Sequence, residues 1–565
     1  MKLTNPAQTH TPIARFYTIL LLAGVFLAIA LPRWLVVAQT ATEDETRWVA
    51  RAANFSVALI NGDLTGTYQS EHPGVTTMWA GTLGLKALFP NYTAQNPGQL
   101  EPYKVDQYLI TNGYTPLQAL VAGRRLMVLF NALALTLLFV YARRLLDLQT
   151  ALLATAFIAF SPFLAAHMHL MHLDGLTGSL MVLSLLAFLS FRDRRRKLDL
   201  FLSGIVAGLA WSTKTPSAIL GPILLLISHI LIWTKRKSGR MDWLEVRNLF
   251  LALLIWACLG LFTFILLWPV MWVEPLDTLN RILQDALGYA SGGHGSPVFF
   301  NGTIYSDGRI PASVYTFYPL TYLWRSTPVV LLGLIIAVPA LWRRWSPLDR
   351  RTARDTVIAL ILYTFLFAVF MALGNKKFDR YLIPVYPALH LVSAAGWVGL
   401  VRWFTGRWFA KSSRKAFLAA VVLGMLIGWQ LLSLISAAPY YLSYYNPFLG
   451  GSRRAPSVMQ IGWGEGLDAA GRYLSAKPGS RDLIVATWYP SSFNYYFAGE
   501  KIPITSNLSP EEEAAIQAAD YAVLYIHQWQ RAVPPTLLEK FATLDPEHTI
   551  EINGLEYVQI YDLRP

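Results

Sequence analysis

Residues 16–47 read FYTILLLAGVFLAIALPRWLVVAQTATEDETR, an apolar run closed by the acidic cluster Glu43-Asp44-Glu45. A run of this length crosses a bilayer as a helix. An Asp-Glu pair at its mouth is a costly thing to hold beside a membrane without a use. Outward from this stretch the same pattern recurs, with apolar runs at approximately 121–142, 149–166, 173–191, 199–214, 216–233, 249–272, 327–343, 356–373, 381–401 and 416–437. With 16–38 that predicts about eleven spans and the fold class of an α-helical polytopic membrane protein. Composition agrees: 54% of the 565 residues are hydrophobic, 14% are charged and the mean hydropathy is +0.39, which excludes a string of soluble domains. Residues 36–41 offer no small-residue cleavage site, so the first run reads as a retained anchor rather than a signal peptide. The one cysteine, Cys258, lies inside a span, which excludes an intrachain disulfide and a cysteine-based metal site.

The net charge of +13 does not point to nucleic acid, because the Lys/Arg clusters sit between apolar runs. Arg143-Arg144, the run 192–197, Lys235-Arg236-Lys237 with Arg240, Arg343-Arg344 with Arg350-Arg351, and the stretch 402–415 fall in alternate loops. By the positive-inside rule these loops are cytoplasmic, as is the N-terminus, in a multi-pass protein of the plasma membrane. Loops 39–120, 167–173, 214–216, 273–326, 374–380 and the C-terminal tail then lie outside. Lys376-Lys377 with Arg380 is the exception, a basic group on the outer side. In the first outer loop Thr42 and Glu45 form a capping box that starts a helix. Trp48, Ala52, Phe55 and Leu59 give that helix one apolar face, Gly62 stops it, and it is predicted to lie flat at the interface. A second short helix is predicted from Pro73. The last residues change character: strands are predicted at 482–488, 521–526 and 557–561, with a helix at 511–519. This divides the chain into a transmembrane catalytic domain, 1–440, and a small extracytoplasmic α/β domain, 441–565.

The spans hold almost no charge at mid-depth. Instead Asp44, Glu45, Arg47, Glu71, His72, Arg124, Arg125, His167, His169, His172, Asp174, Lys214, His294, Lys376, Lys377 and Arg380 gather at one interface. Acids, imidazoles and strong cations on one face suit a reaction on a lipid-borne phosphate. Acids in a helix's first turn are also favoured by its dipole, and Glu45 fits that role, while beside Asp44 it is also a candidate catalytic carboxylate. Arg47, three residues after Asp44, shares its helix face and can keep the carboxylate ionised or touch the phosphate. Arg124-Arg125, Lys214 and the Lys376/Arg380 group read as cations for a phosphate, with interfacial anchoring as the alternative for the arginine pair. Glu71 and His72, with His294, are candidate ligands of a divalent metal ion; a capped helix start explains the first two equally well. His167, His169 and His172 beside Asp174 read as a metal cluster or as interfacial histidines. In the tail, Gly462-Trp463-Gly464-Glu465-Gly466 and the aromatic stretch 489–496 suit sugar stacking or a structural loop. They lack the strand-turn-helix context of a nucleotide site, so no nucleotide cofactor is expected.

Taken together, the motifs resemble the GT-C superfamily of polyprenyl-phosphate-dependent glycosyltransferases, in particular protein O-mannosyltransferases and lipid A aminoarabinose transferases. Asp44-Glu45-Thr46-Arg47 resembles the Asp-Glu motif of that family's first outer loop. Glu71-His72-Pro73-Gly74 is similar to its downstream His-Pro-Pro segment, with Gly74 for the second proline. Leu173-Asp174 resembles the second acidic position, Lys214-Thr215-Pro216 the Lys-Gly-Pro segment, and Asp379-Arg380-Tyr381-Leu382-Ile383-Pro384 the Arg-Tyr-x-x-Pro segment. The resemblance covers about residues 14–440. It implies inverting transfer of a sugar from a polyprenyl-phosphate donor to an acceptor hydroxyl on a protein, lipid or glycan of the cell envelope. Asp44 would be the base, Asp174 a carboxylate that orients the acceptor, and Glu71 a metal ligand. Arg47, Arg124, Arg125, Lys214, Lys376, Arg380 and Tyr381 would hold the donor phosphate. The C-terminal domain would cover the outer cavity and help select the acceptor. A lipid-linked polysaccharide polymerase or ligase is the nearest alternative, since it works on the same face with arginines. A transporter would show inverted repeats and mid-membrane polar sites, and a membrane scaffold would not need the gathered charges.

Overall fold

The computed structural model describes residues 12–233, 243–409, 414–506, 508–531, 533 and 535–564. The start of the N-terminal tail and the basic group Lys235-Arg236-Lys237 with Arg240 lie outside the described residues. Among the described residues, eight helices are long and apolar enough to cross a membrane, or up to ten if each of two bent pairs is one span. The eleventh run expected, 199–214, is the helix Lys197–Thr213, which at 17 residues sits at the lower limit for a crossing.

Both bends have one cause. Leu148–Ala159 meets Pro162–His169 at 68°, and Phe317–Arg325 meets Pro328–Trp342 at 119°. In each pair a proline opens the second helix, where its missing N–H costs nothing and its ring prevents the first helix from running through. The bends turn Phe163, His167, Thr321 and Arg325 into the space at one end of the bundle. Asp174–Arg194 runs through the centre, buried along nearly all its length, whereas Ile13–Trp34 and Lys415–Ser436 expose most of theirs.

Three helices fill the loop after the first span: Glu43–Asn61, Val75–Leu88 and Pro102–Thr111. The first starts and stops where the sequence directs. Thr42 caps it, the Glu45 carboxylate accepts from the Thr42 N–H at 3.0 Å, and Gly62 ends it in the left-handed conformation. Gly74 also has a positive φ, +59°. A proline, fixed near −65°, cannot replace it there, so the departure from the family's second proline is built into this turn. The Gly74 N–H donates to the Thr213 carbonyl, which ties the 71–74 turn to the end of the Lys197–Thr213 helix.

The C-terminal region forms a five-stranded mixed sheet in the order Glu500–Pro503, Ile484–Thr487, Tyr521–Tyr525, Leu555–Asp562, His548–Ile552. The first three strands are parallel, and the last two join antiparallel. The three strands expected from sequence are present; Glu500–Pro503 and His548–Ile552 were not anticipated. The helix expected at 511–519 is present as Pro510–Gln517, two residues shorter at its end. A short hairpin, Val298–Phe300 with Thr303–Tyr305, reaches from the bundle to this domain, where the Asn301 N–H donates to the Val458 carbonyl.

Candidate active site

A cavity of about 420 Å³ opens between the bundle and the C-terminal domain. Glu43, Asp44 and Arg47 line it from the first loop, Arg325 and Arg380 from the bundle, and Trp463, Trp488, Tyr489 and Arg531 from the C-terminal domain. The Gly462–Gly466 loop is seated directly on the start of the Asp44 helix. At Gly464, with φ +120°, a Cβ would stand 2.7 Å from the Ala41 carbonyl oxygen, so only glycine permits the approach. The Thr40 hydroxyl bonds Asp468 at 3.3 Å, and the Ser492 hydroxyl donates to Glu43 at 3.4 Å.

Asp44 keeps a third of its side-chain surface exposed. Its Oδ2 accepts from an Arg380 terminal nitrogen at 3.4 Å and lies 3.4 Å from His172 Nε2. The other ring nitrogen of His172 is 3.3 Å from Asp174, so this imidazole stands between two carboxylates. Asp174 also faces Arg380 Nε at 3.6 Å and holds the Lys214 ammonium at 2.5 Å. Lys214 in turn lies 4.4 Å from the Tyr381 ring centre. Three cationic groups thus surround two carboxylates. Burial alone would raise the Asp44 carboxyl, but the contact with His172 and the charges of Arg380, His172 and Arg47 more than offset it and hold the group below the usual carboxylate range. Burial pulls the His172 imidazole down, and Asp174 and Asp44 together more than reverse this, so the ring is easier to protonate than a free histidine.

The sequence brought Asp44, Asp174, Lys214, Arg380 and Tyr381 to one face, and the structure brings them into one cluster. Arg47 lines the same cavity and acts on Asp44 through its charge. Lys376 is half-buried beside them, its ammonium 3.7 Å from the Tyr289 ring centre. Burial first, then the charge of Arg380, lowers its pKa to about 8.

Four readings are corrected by the geometry. Glu45 is fully buried and serves structure: one oxygen takes the Thr42 N–H, the other takes the Met171 N–H and Arg124 Nε, each at 2.7 Å. Arg124 is likewise fully buried, and its guanidinium is committed to Glu45 and to the carbonyls of Val37, Gln39 and Thr40. Five bonds use all five of its donors, so none is left for a donor phosphate. Arg125 points the other way, exposed, with its guanidinium 5.5 Å from the Trp34 ring centre, as an interfacial anchor does. Asp174 is only 1% exposed and does not line the cavity, so it positions Lys214, Arg380 and His172 instead of touching an acceptor.

Glu71, His72 and His294 do not converge. His72 lies on the Tyr289 ring at 4.6 Å and His294 edge-on to Phe378 at 4.6 Å. Burial lowers both imidazoles to about 3. Among the described residues no group of three or more His, Cys, Asp or Glu is placed to hold a metal ion. The three loop histidines separate too: His169 bonds the Ala165 carbonyl, His167 lines the cavity, and His172 alone joins the carboxylates. Sequence reasoning missed the special place of His172, whose signal was its spacing two residues before Asp174. It also missed Glu43, which lines the cavity and whose carboxyl is pushed up by burial, and Arg531, which no motif marked.

Residues 117–268 match the family described as dolichyl-phosphate-mannose-protein mannosyltransferase. That segment contains Arg124, His172, Asp174 and Lys214. No curated protein matches the chain. Among solved structures, ArnT from Cupriavidus metallidurans bound to undecaprenyl phosphate is 15% identical, with 97% of this chain and 98% of that chain covered and a TM-score of 0.49. The archaeal oligosaccharyltransferase AglB from Archaeoglobus fulgidus, in complex with an inhibitory peptide and a dolichol-phosphate, is 11% identical over 92% of this chain and 70% of that chain, with a TM-score of 0.48. The Archaeoglobus fulgidus oligosaccharyltransferase complex with Zn and sulfate is 13% identical over 90% and 68%, with a TM-score of 0.45.

Proposed function

We propose that this chain is a polyprenyl-phosphate-dependent membrane glycosyltransferase of the GT-C type that moves a sugar with inversion onto an acceptor hydroxyl at the outer membrane face, with Asp44 as base; the match of residues 117–268 to the mannosyltransferase family supports the reading. The observation that carries the reading is the half-open Asp44 carboxylate, facing a cavity that a membrane bundle and a second domain enclose together. As the acceptor oxygen bonds the anomeric carbon, the bond from that carbon to the phosphate oxygen breaks, and the acceptor proton passes to Asp44. The phosphate leaves as a stable anion and needs positive charge, not an acid. Arg380, Arg47 and Lys376 supply that charge. A carboxylate with so low a proton affinity is a weak base, and it suffices because the attacking hydroxyl becomes strongly acidic only once its bond to the cationic carbon has begun to form.

Lys214 acts through Asp174. Its ammonium neutralises the buried acid, which frees Arg380 to face Asp44 and the donor. His172 holds the Asp44 and Asp174 carboxylates at a fixed separation. Among the described residues, those read as metal ligands do not form a set. The test is transfer of sugar from a polyprenyl-phosphate donor by wild type, Asp44→Asn and Glu43→Gln, read by mass analysis of cell-envelope glycans and glycolipids. Loss in Asp44→Asn with activity kept in Glu43→Gln supports the assignment; the reverse pattern moves the base to Glu43.

A further inference from the structure

Two guanidinium groups face the cavity from opposite walls. Arg380, from the bundle, is matched by Asp44 and Asp174. Arg531, from the C-terminal domain, is 5% exposed and lines the same cavity, yet among the described residues no carboxylate pairs with it. Its neighbours are neutral. Arg531 Nε donates to His527 Nε2 at 2.6 Å. His527 Nδ1 donates to the Ile461 carbonyl at 2.8 Å, which leaves Nε2 as an acceptor and the ring uncharged. The Tyr489 hydroxyl completes the surround, 3.2 Å from the same His527 nitrogen. Besides burial, the influences on Arg531 are the Tyr489 hydroxyl and the like charge of Arg380. Beside this group the buried Trp488 indole faces the Tyr489 hydroxyl, and Trp488 also lines the cavity.

A buried cation without a counter-charge is expensive, and the fold keeps it at the wall of the cavity with the Trp488 indole N–H close by, both facing the Tyr489 hydroxyl. The cost is removed when an oxyanion arrives, because a guanidinium fork and an adjacent N–H match its oxygens. We infer that Arg531 and Trp488 bind an anionic group, a phosphate or a carboxylate, on the molecule whose hydroxyl is glycosylated. The inference rests on the reading of Asp44 as base, since that places the acceptor in this cavity. The aromatic faces of Trp463 and Tyr489 between the two arginines give the uncharged part of the acceptor a surface to lie on.

The test uses the full chain in lipid nanodiscs with the donor site saturated by a polyprenyl phosphate. Glycerol phosphate and glucuronate are titrated as anionic probes, glycerol and glucose as neutral ones. Wild type is expected to bind one of the anions at least tenfold more tightly than its neutral counterpart. Arg531→Gln is expected to lose that tenfold preference, Arg531→Lys to keep part of it, and Trp488→Phe to lose about threefold, with polyprenyl phosphate affinity unchanged in all three. The anion that wins identifies the source of the charge. Equal affinity for charged and neutral probes in wild type overturns the inference. So does an Arg531→Gln protein that keeps the preference, or one that loses polyprenyl phosphate binding instead. If Arg531→Gln melts early, Arg531→Lys and Trp488→Phe decide the matter on the same criterion. Failure of wild type to bind polyprenyl phosphate would count against the glycosyltransfer reading, and it is measured separately.

Discussion

Asp44 and Glu45 are adjacent in sequence and lie in one helical turn, yet one carboxylate keeps a third of its surface open and the other keeps none. Successive helix residues point about 100° apart. Once the Thr42 cap fixes the start of the helix, Asp44 must face the cavity and Glu45 must face the bundle. The closed acid is matched by direct bonds of 2.5–3.0 Å to Arg124, Thr42 and Met171. The open acid is met only by looser contacts of 3.4 Å to His172 and Arg380. Tight, saturated bonding is what a buried ion pair needs to survive desolvation. Loose contacts leave room for a substrate to enter and for the site to tighten around it. A motif of two acids therefore divides into an anchor and a working group.

The sharpest way to break this division is to exchange the two outcomes. Asp44→Asn is expected to cut turnover by about 10²–10⁴-fold, the range a positioned base contributes, while the protein still inserts and binds polyprenyl phosphate. Turnover near wild type with a lowered melting temperature would mean that Asp44 is an anchor after all. Next in size is the anchor itself. Arg124→Gln leaves Glu45 buried without its cation, and breaking such a pair costs about 3–5 kcal/mol of stability. Thermal unfolding in detergent measures it, with donor affinity of the folded fraction kept. The double variant Glu45→Gln/Arg124→Gln is expected to recover part of the loss. Normal stability with weakened donor binding would return Arg124 to the donor site.

His172 tests whether the open side depends on charge or on shape. Its raised pKa means that the ring is protonated below that value and becomes neutral as pH rises through it. Neutralisation leaves Asp44 and Asp174 facing one another with one cation fewer. Activity is expected to fall along that limb, and His172→Gln is expected to lower kcat about tenfold at neutral pH, the effect of about 1.4 kcal/mol, and to abolish the limb. A pH profile identical in wild type and His172→Gln would reduce His172 to a packing residue.

How far the sequence carried depends on the distance over which each feature is decided. The Glu43–Asn61 helix was readable to its ends because its cap, apolar face and stop lie within about twenty residues. The spans were readable because a bilayer demands long apolar runs. Arg124 was not, since nothing near it says whether a helix-borne arginine meets phosphate or a glutamate 79 residues earlier. His172 looked like one of three equal histidines until the bundle set it between acids from two different segments. Arg531 carries no local signal at all: its interest is that no carboxylate among the described residues pairs with it, which only packing reveals. The two missed strands are short, with the half-exposed patterns of sheet edges, and 500–503 ends in a proline, a residue that argues against a strand unless an edge is known.

The smallest effect expected is at Lys376, which stands beside Arg380 and the Tyr289 ring behind the cavity lining, and it separates donor binding from acceptor binding. With a pKa lowered to about 8, its ammonium is charged at neutral pH and is lost as pH rises through that value. If it faces the donor phosphate, polyprenyl phosphate affinity falls above pH 8, by about threefold for a partly solvated charge pair worth a little under 1 kcal/mol. Lys376→Gln should show the weaker affinity at every pH, and Lys376→Arg should hold the tighter one to higher pH, because a guanidinium stays charged. Binding isotherms for a polyprenyl phosphate at pH 7 and pH 9 measure all three proteins. The Arg531 variants should leave these isotherms untouched, since Arg531 belongs to the opposite wall. A Lys376→Gln protein that binds the lipid phosphate like wild type but loses the acceptor's anion preference would reverse the two sides of the cavity.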